Sequence, residues 1–204
     1  MSRYEISGWQ DSTQPGSGGM VLKNRLSIVS RRDMDAAELE LLHKLYLFVL
    51  RDHLPLGPVT VRMIRDWHRR WLGNLYDWAG HERSVNMSKG GFPFAAASRI
   101  PDLLQAFERD VLLRETPCRG MDHRKLVSAI ARTHVEFILI HPFREGNGRI
   151  SRLLADVMAS QAGVGPLDYG AWESDRNRYI LAIQAGMSGD YAPMCDRVER
   201  VLPG

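Results

Sequence analysis

The sequence predicts a mainly α-helical protein: a bundle around two central helices joined by a glycine-rich loop, with one small β-hairpin beside it. Three observations predict this. Apolar residues recur at helical spacing in long segments, most clearly Leu126, Ile130 and Phe137 before the loop and Ile150, Leu153, Leu154, Val157 and Met158 after it. Residues that favour helix N-caps (Asp33, Thr60, Ser98, Asp122 and Ser174) head such segments. Only residues 84–94 read as extended, with Gly90-Gly91 near the middle and Pro93 near the end.

Taken in order, residues 1–19 carry a stretch punctuated by Pro15, Gly16, Gly18 and Gly19, which disfavours regular structure. They read as a flexible lead-in, the alternative being a loop pinned over the core; residues 20–204 form the single domain. Asp33 caps a helix to about Arg51 with Leu39, Leu42, Leu45, Tyr46 and Val49 inward. After the break at Leu54-Pro55-Leu56-Gly57-Pro58, Thr60 caps a helix bearing Ile64, Trp67, His68 and Trp71. Its arginines, Arg62, Arg65, Arg69 and Arg70, read as a solvated face. Ser98 starts a helix through Ile100, Leu104, Phe107 and Val111, ended by Thr116-Pro117. Asp122 caps the first central helix, in which His134 reads as a core histidine. Beyond the second, Ser174 caps a helix with Tyr179, Ile180, Ala182 and Ile183 inward, and a short helix covers residues 192–201.

Composition narrows the function classes. A chain of 204 residues can bury a substantial core, and 44% hydrophobic with 25% charged residues is ordinary for a globular protein. With 27 basic and 24 acidic residues the net charge is only +3, which gives no footprint for nucleic acid. Cys118 and Cys195 form neither a metal-spaced cluster nor a disulfide framework. No apolar stretch is long enough to span a bilayer and no secretory leader opens the chain, so a cytoplasmic location is expected, without a membrane partner.

The chemistry concentrates in His141-Pro142-Phe143-Arg144-Glu145-Gly146-Asn147-Gly148-Arg149, with Arg152 three residues on. A glycine-rich turn that opens a helix presents unpaired backbone N–H groups at the positive end of the helix dipole. Glycine also lets a ligand approach the backbone, so the turn is suited to an anion. Arg149 and Arg152 lie on the helix's first turns and can clamp further phosphate oxygens. Glu145 can hold a hard cation, and His141 can take a proton from an attacking hydroxyl. A phosphate-rich ligand fits this set.

This stretch resembles the signature of Fic-domain proteins, His-Pro-Phe-x-Asp/Glu-Gly-Asn-Gly-Arg-x-x-Arg, at every fixed position. The resemblance extends upstream through Leu75-Tyr76-Asp77-Trp78-Ala79-Gly80 and residues 85–92, and downstream into residues 179–182, so that about residues 20–195 resemble one Fic domain. It implies the Fic fold, with the hairpin as a flap that holds a target segment by strand pairing. Lys89, Gly90 and Phe92 are the candidate target contacts. The implied reaction is transfer of AMP from ATP to a Ser, Thr or Tyr hydroxyl of a target protein. His141 is then the general base and Glu145 the Mg²⁺ ligand. Gly146, Asn147 and Gly148 line the anion hole, Arg149 and Arg152 hold the β- and γ-phosphates, and Tyr179 belongs to the adenine pocket.

Two alternatives stay open. The related Doc branch, a protein phosphotransferase, has lysine where Gly148 stands; Gly148 argues for nucleotidyl transfer, with UTP or GTP as other possible donors. The other alternative is a Fic-like scaffold that binds nucleotide or a partner without turnover. Many Fic proteins carry an inhibitory helix with Ser/Thr-x-x-x-Glu-Gly/Asn. Only Glu145 precedes Gly or Asn here, and position 141 is histidine, so that motif is absent from the sequence. Restraint by a separate small helical antitoxin bearing an inhibitory glutamate is therefore expected, the alternatives being a divergent internal helix or no inhibition.

Overall fold

A computed structural model describes residues 5–7 and 12–203, with residues 5–7 and 173 described by backbone alone. The helices are α1 (Arg31–Tyr46), α2 (Val61–Leu72), α3 (Ile100–Phe107), α4 (Leu113–Glu115), α5 (His123–Ile140), α6 (Asn147–Gln161), α7 (Gly170–Ser174), α8 (Arg176–Ala185) and α9 (Ala192–Glu199). The strands β1 (Glu5–Ser7), β2 (Asn86–Lys89) and β3 (Phe92–Pro93) form one antiparallel sheet in the order β1-β2-β3. The mainly α architecture with a small hairpin is the expected one. Among the described residues no helix is long and apolar enough to cross a membrane.

Helices α5 and α6 lie against each other at the centre, with Ile130, Phe137, Leu153, Leu154 and Val157 fully buried between them and their neighbours. Asp122 caps α5 by accepting from Lys125 N at 2.9 Å, and Thr60 caps α2 by accepting from Met63 N at 3.3 Å. Ile64, Trp67, His68 and Trp71 face inward from α2, while Arg62, Arg69 and Arg70 are exposed.

Several local expectations are corrected. Ser30, not Asp33, caps α1: its Oγ accepts from Asp33 N at 3.3 Å, which puts the Asp33 carboxylate in the first turn, where the helix dipole favours it. Leu39 is 66% exposed, because the buried face of α1 runs through Met34, Glu38 and Leu45. The α1 path continues as a π-helical segment, Leu47–Asp52. A single 3-10 turn, Ala97–Arg99, leads into α3 where Ser98 was expected to start it. Asp175, not Ser174, caps α8 by accepting from Arg178 N at 3.2 Å; Ser174 is the last residue of α7. Ile180 is 38% exposed rather than inward.

The lead-in also differs from an unstructured one where it is described. Thr13 bridges Leu22, Gln14 N donates to Val21 O at 2.8 Å and Lys23 N to Ser12 O at 2.9 Å, with Ser17 buried in the turn. Residues 12–19 thus match the alternative of a loop pinned over the core. Upstream, β1 pairs with β2, Ile6 opposite Met87. The rest of the lead-in, residues 1–4 and 8–11, lies outside the described residues.

Candidate active site

The loop between α5 and α6 is closed by its own side chains. His141 ends α5 in a left-handed conformation (φ 50°), turning the chain away from the helix. Asn147, fully buried, accepts from Phe143 N at 2.8 Å and donates to Phe143 O at 2.7 Å, so its amide zips the loop shut. Gly146 has φ 85°, and a Cβ there would fall 2.5 Å from the Trp71 ring. His68 reaches the loop from α2. Gly80 N donates to its Nδ1 at 2.8 Å, so Nε2 carries the proton and donates to Glu145 O at 3.0 Å. Its ring stacks on Phe143 at 3.9 Å.

Arg83 joins the loop to the hairpin. This buried guanidinium donates to His141 O at 2.8 Å, Val85 O at 2.6 Å, Ala95 O at 2.6 Å and Ile140 O at 3.3 Å. Arg83 N also donates to Pro142 O at 2.8 Å. Phe94, just past β3, stacks on the His141 ring at 3.7 Å. The hairpin is thereby fixed beside the histidine.

A pocket of about 540 Å³ opens over the loop. It collects His141, Glu145, Gly146, Gly148, Arg149 and Arg152, with Lys89 and Phe92 of the hairpin on one side and Trp172, Tyr179, Ile180 and Gln184 on another. His141 Nδ1 lies 3.2 Å from Ile138 O and donates to it, which leaves Nε2 as the accepting nitrogen. Burial pushes the His141 pKa down to about 3, so the imidazole is neutral. A Cβ on Gly148 would meet nothing within 4 Å, so neither backbone nor packing requires glycine there. What glycine leaves is access to the first turn of α6.

The two arginines differ in their surroundings. Arg149 lies over the Trp71 ring at 4.4 Å and pairs with Glu38 at 2.7 Å and Glu145 at 3.4 Å. Arg152 lies over the Tyr169 ring at 5.0 Å, and the Tyr169 hydroxyl donates to Arg152 O at 2.8 Å. Asp156 accepts from Leu167 N at 2.9 Å and lies 3.0 Å from the same tyrosine hydroxyl; burial raises its pKa to about 6.

The structure brings His141, Glu145, Gly146, Gly148, Arg149, Arg152, Lys89, Phe92 and Tyr179 to this one pocket. Asn147 turns its side chain into the loop instead, and Gly90 forms the hairpin turn without lining the pocket. The Tyr179 hydroxyl lies 2.8 Å from His134 Nε2, whose Nδ1 contacts Ser151 Oγ at 2.7 Å, so this histidine holds the tyrosine ring in place at the pocket. Sequence reasoning assigned no site role to Glu38, His68, Arg83 or Phe94. Glu38 carried a signal, since it is a carboxylate four residues from Met34 and seven from Leu45 on one helix face. Arg83 and Phe94 carried none, because their partners are backbone carbonyls and a ring distant in sequence.

Among the described residues no three His, Cys, Asp or Glu side chains cluster as a metal cage. The lone Glu145 carboxylate at the pocket suits Mg²⁺, which binds through one or two carboxylates completed by substrate phosphates and water.

Comparison with known proteins agrees with this geometry. Residues 58–159 match the model of the Fic/DOC family. The chain is 30% identical over 178 residues to "Probable protein adenylyltransferase Fic" of Salmonella typhimurium, covering 85% of this chain and 84% of that protein. It is 28% identical over 174 residues to the protein of the same name in Escherichia coli K12, covering 83% and 82%. Its fold is similar to the crystal structure of the VirB-translocated effector BepC from Bartonella tribocorum with bound AMPPNP. There the TM-score is 0.75 at 22% identity, with 96% of this chain and 98% of that one covered. The chain belongs to the Fic/DOC family.

Proposed function

We propose that the chain is a protein adenylyltransferase, with residues 20–204 acting as one Fic domain that transfers AMP from ATP to a Ser, Thr or Tyr hydroxyl of a target protein. One observation carries the reading: a single pocket holds a neutral histidine, a carboxylate, a helix-opening turn with an open glycine, and two arginines. Its volume of about 540 Å³ suits a nucleotide-sized ligand. The relatives named protein adenylyltransferases and the AMPPNP-bound neighbour support the same donor class.

In this reading the triphosphate lies against Gly146 and Gly148 and the N-terminal amides of α6. Arg152 and Arg149 hold the β- and γ-phosphates, and the adenine faces Trp172, Tyr179 and Ile180. Glu145 would hold Mg²⁺, which would offset the charge that develops on the phosphates. A target strand docks on the hairpin near Lys89 and Phe92. Its hydroxyl oxygen bonds to the α-phosphorus while its proton passes to His141 Nε2. The bond from that phosphorus to the α–β bridging oxygen breaks, and pyrophosphate leaves. The low pKa of the free histidine keeps it ready to accept, and the adjacent polyphosphate charge favours its protonated form as the proton arrives.

Restraint in this reading comes from a separate small helical partner that offers a glutamate to Arg152 in the cytoplasm. The test is incubation of the pure chain with Mg²⁺, α-labelled ATP and cell lysate, beside His141→Ala. A labelled protein band lost in the mutant is expected. Label from γ-labelled ATP alone would replace the reading with phosphotransfer, and no label from either would leave a binding scaffold.

A further inference from the structure

Glu38 is a carboxylate on the inner face of α1, only 4% exposed, far in sequence from the loop it touches. A buried carboxylate is costly unless its oxygens are satisfied. Both are: Tyr76 donates its hydroxyl to Oε1 at 2.8 Å, and Arg149 Nη1 donates to Oε2 at 2.7 Å. The Glu38 backbone is fixed as well, because the Trp71 indole N–H donates to Glu38 O at 2.9 Å. The same Trp71 ring lies under the Arg149 guanidinium.

Arg149 therefore stands between two carboxylates. Glu38 holds it at 2.7 Å, whereas Glu145, four residues earlier on the loop, lies at 3.4 Å, longer than a good charge-assisted bond. Without the Glu38 charge, the nearest anion to a guanidinium in this position is Glu145. Arg149 would close on it and compete for the oxygens that face the pocket.

We propose that Glu38 is a positioning residue that draws Arg149 onto Trp71 and so keeps the Glu145 carboxylate available to the phosphate-bound cation. The inference rests on the adenylyltransferase reading for its catalytic consequence, while its geometric core concerns Arg149 alone. It is also opposite in sign to a restraint: a carboxylate that merely blocked a phosphate arginine would raise activity on removal.

The test uses the full chain with Glu38→Gln, which keeps shape and one acceptor but removes charge, and Tyr76→Phe, which removes only the hydroxyl that orients the carboxylate. Side-chain NMR of Arg149, assigned through Arg149→Lys, reports the guanidinium without nucleotide. Hindered rotation is expected in the wild type, and in Glu38→Gln the Nη signals should shift to those of a guanidinium paired with Glu145 in place of Glu38. Calorimetry with AMPPNP, with and without Mg²⁺, then reports the cation's contribution to binding. That contribution falls about tenfold in Glu38→Gln, in the range seen when partners of metal ligands are removed, and less in Tyr76→Phe. The Mg²⁺-free affinity falls by less, because Arg152 and the α6 amides still hold the phosphates when Arg149 moves.

An unchanged Mg²⁺ contribution with a lowered Tm would make Glu38 a fold residue and overturn the proposal. Transfer faster than wild type would make it a restraint and overturn it equally. If Glu38→Gln does not fold, Tyr76→Phe carries the same comparison. A wild-type chain that binds no AMPPNP would strike down the adenylyltransferase reading, while the Arg149 signals would still decide the geometry.

Discussion

Gly146 and Gly148 stand two positions apart and are glycine for unrelated reasons. Gly146 has a left-handed φ of 85°, and a Cβ there would sit 2.5 Å from the buried Trp71 ring. Gly146→Ala is expected to destabilise by about 1–3 kcal/mol, through overpacking and the forbidden backbone region. Gly148 has ordinary helical geometry and open space where its Cβ would lie. Alanine is the better helix former by up to about 1 kcal/mol, so Gly148→Ala is expected to keep or slightly raise the Tm. Its methyl group would project over the first turn of α6, the proposed anion site, and AMPPNP affinity should fall about tenfold, some 1.4 kcal/mol. Thermal unfolding beside calorimetry checks both. A Gly148→Ala chain with wild-type nucleotide affinity would remove the anion site from this turn.

At the scale of elements, the hairpin owes its place to Arg83. Four carbonyls, from the α5 terminus, the loop and both ends of the hairpin, converge on one buried guanidinium. Arg83→Met would fill similar volume but leave those carbonyls unmet. A loss of about 3 kcal/mol or more is expected, since each buried orphan costs about 1–3 kcal/mol. Hydrogen exchange at β2 should quicken more than at α6, and equal protection in both would contradict the anchor. No local pattern announces such a residue, because its partners are backbone groups up to 58 positions away. What was legible in the sequence has local causes: the caps Thr60 and Asp122, the Gly90-Gly91 turn, and the helical spacing around the signature. The misassigned caps arose where two capping residues stand close together, Ser30 with Asp33 and Ser174 with Asp175. There local propensity is nearly equal, and packing of the whole helix decides. Leu39 was misplaced for a related reason: the inner face of α1 spends a position on Glu38, whose partners lie on α2 and α6. The site was readable as a set of reactive groups, but not as the shell that orients them.

Across the whole molecule, three buried neutral histidines pin the junctions around the pocket. His68 joins α2 to the loop, His134 joins α5 to α6 and α8, and His141 ends α5 under Phe94. Burial depresses all three pKa values from 6.5 to about 3. Between these limits the unfolded chain binds protons that the folded chain refuses, so stability rises with pH and is lost as pH falls below about 6.5. Each histidine contributes a slope of up to about 1.4 kcal/mol per pH unit in that window. Asp156 works the other way. Its pKa is raised from 3.8 to about 6, so between those values the folded chain holds the proton that the unfolded chain releases, and this offsets one histidine. The net expectation is a loss of about 3 kcal/mol per pH unit between pH 5.5 and 4.5, a large fraction of the stability of a typical domain. The Tm should therefore be flat between about pH 7 and 8 and drop steeply below 6. Any local opening that releases the His68 ring lets it take up a proton below about pH 6.5, which favours the open form, so the Gly80 amide that donates to His68 should lose exchange protection in the same window. His68→Gln, which can keep an acceptor and a donor without titrating, should make the acid limb shallower by about half, since one of the two net proton equivalents is removed. A Tm that is unchanged from pH 7 to 4.5 would mean that the three rings take up protons in the folded state, and with it the dry, neutral surroundings assigned to His141 would fall.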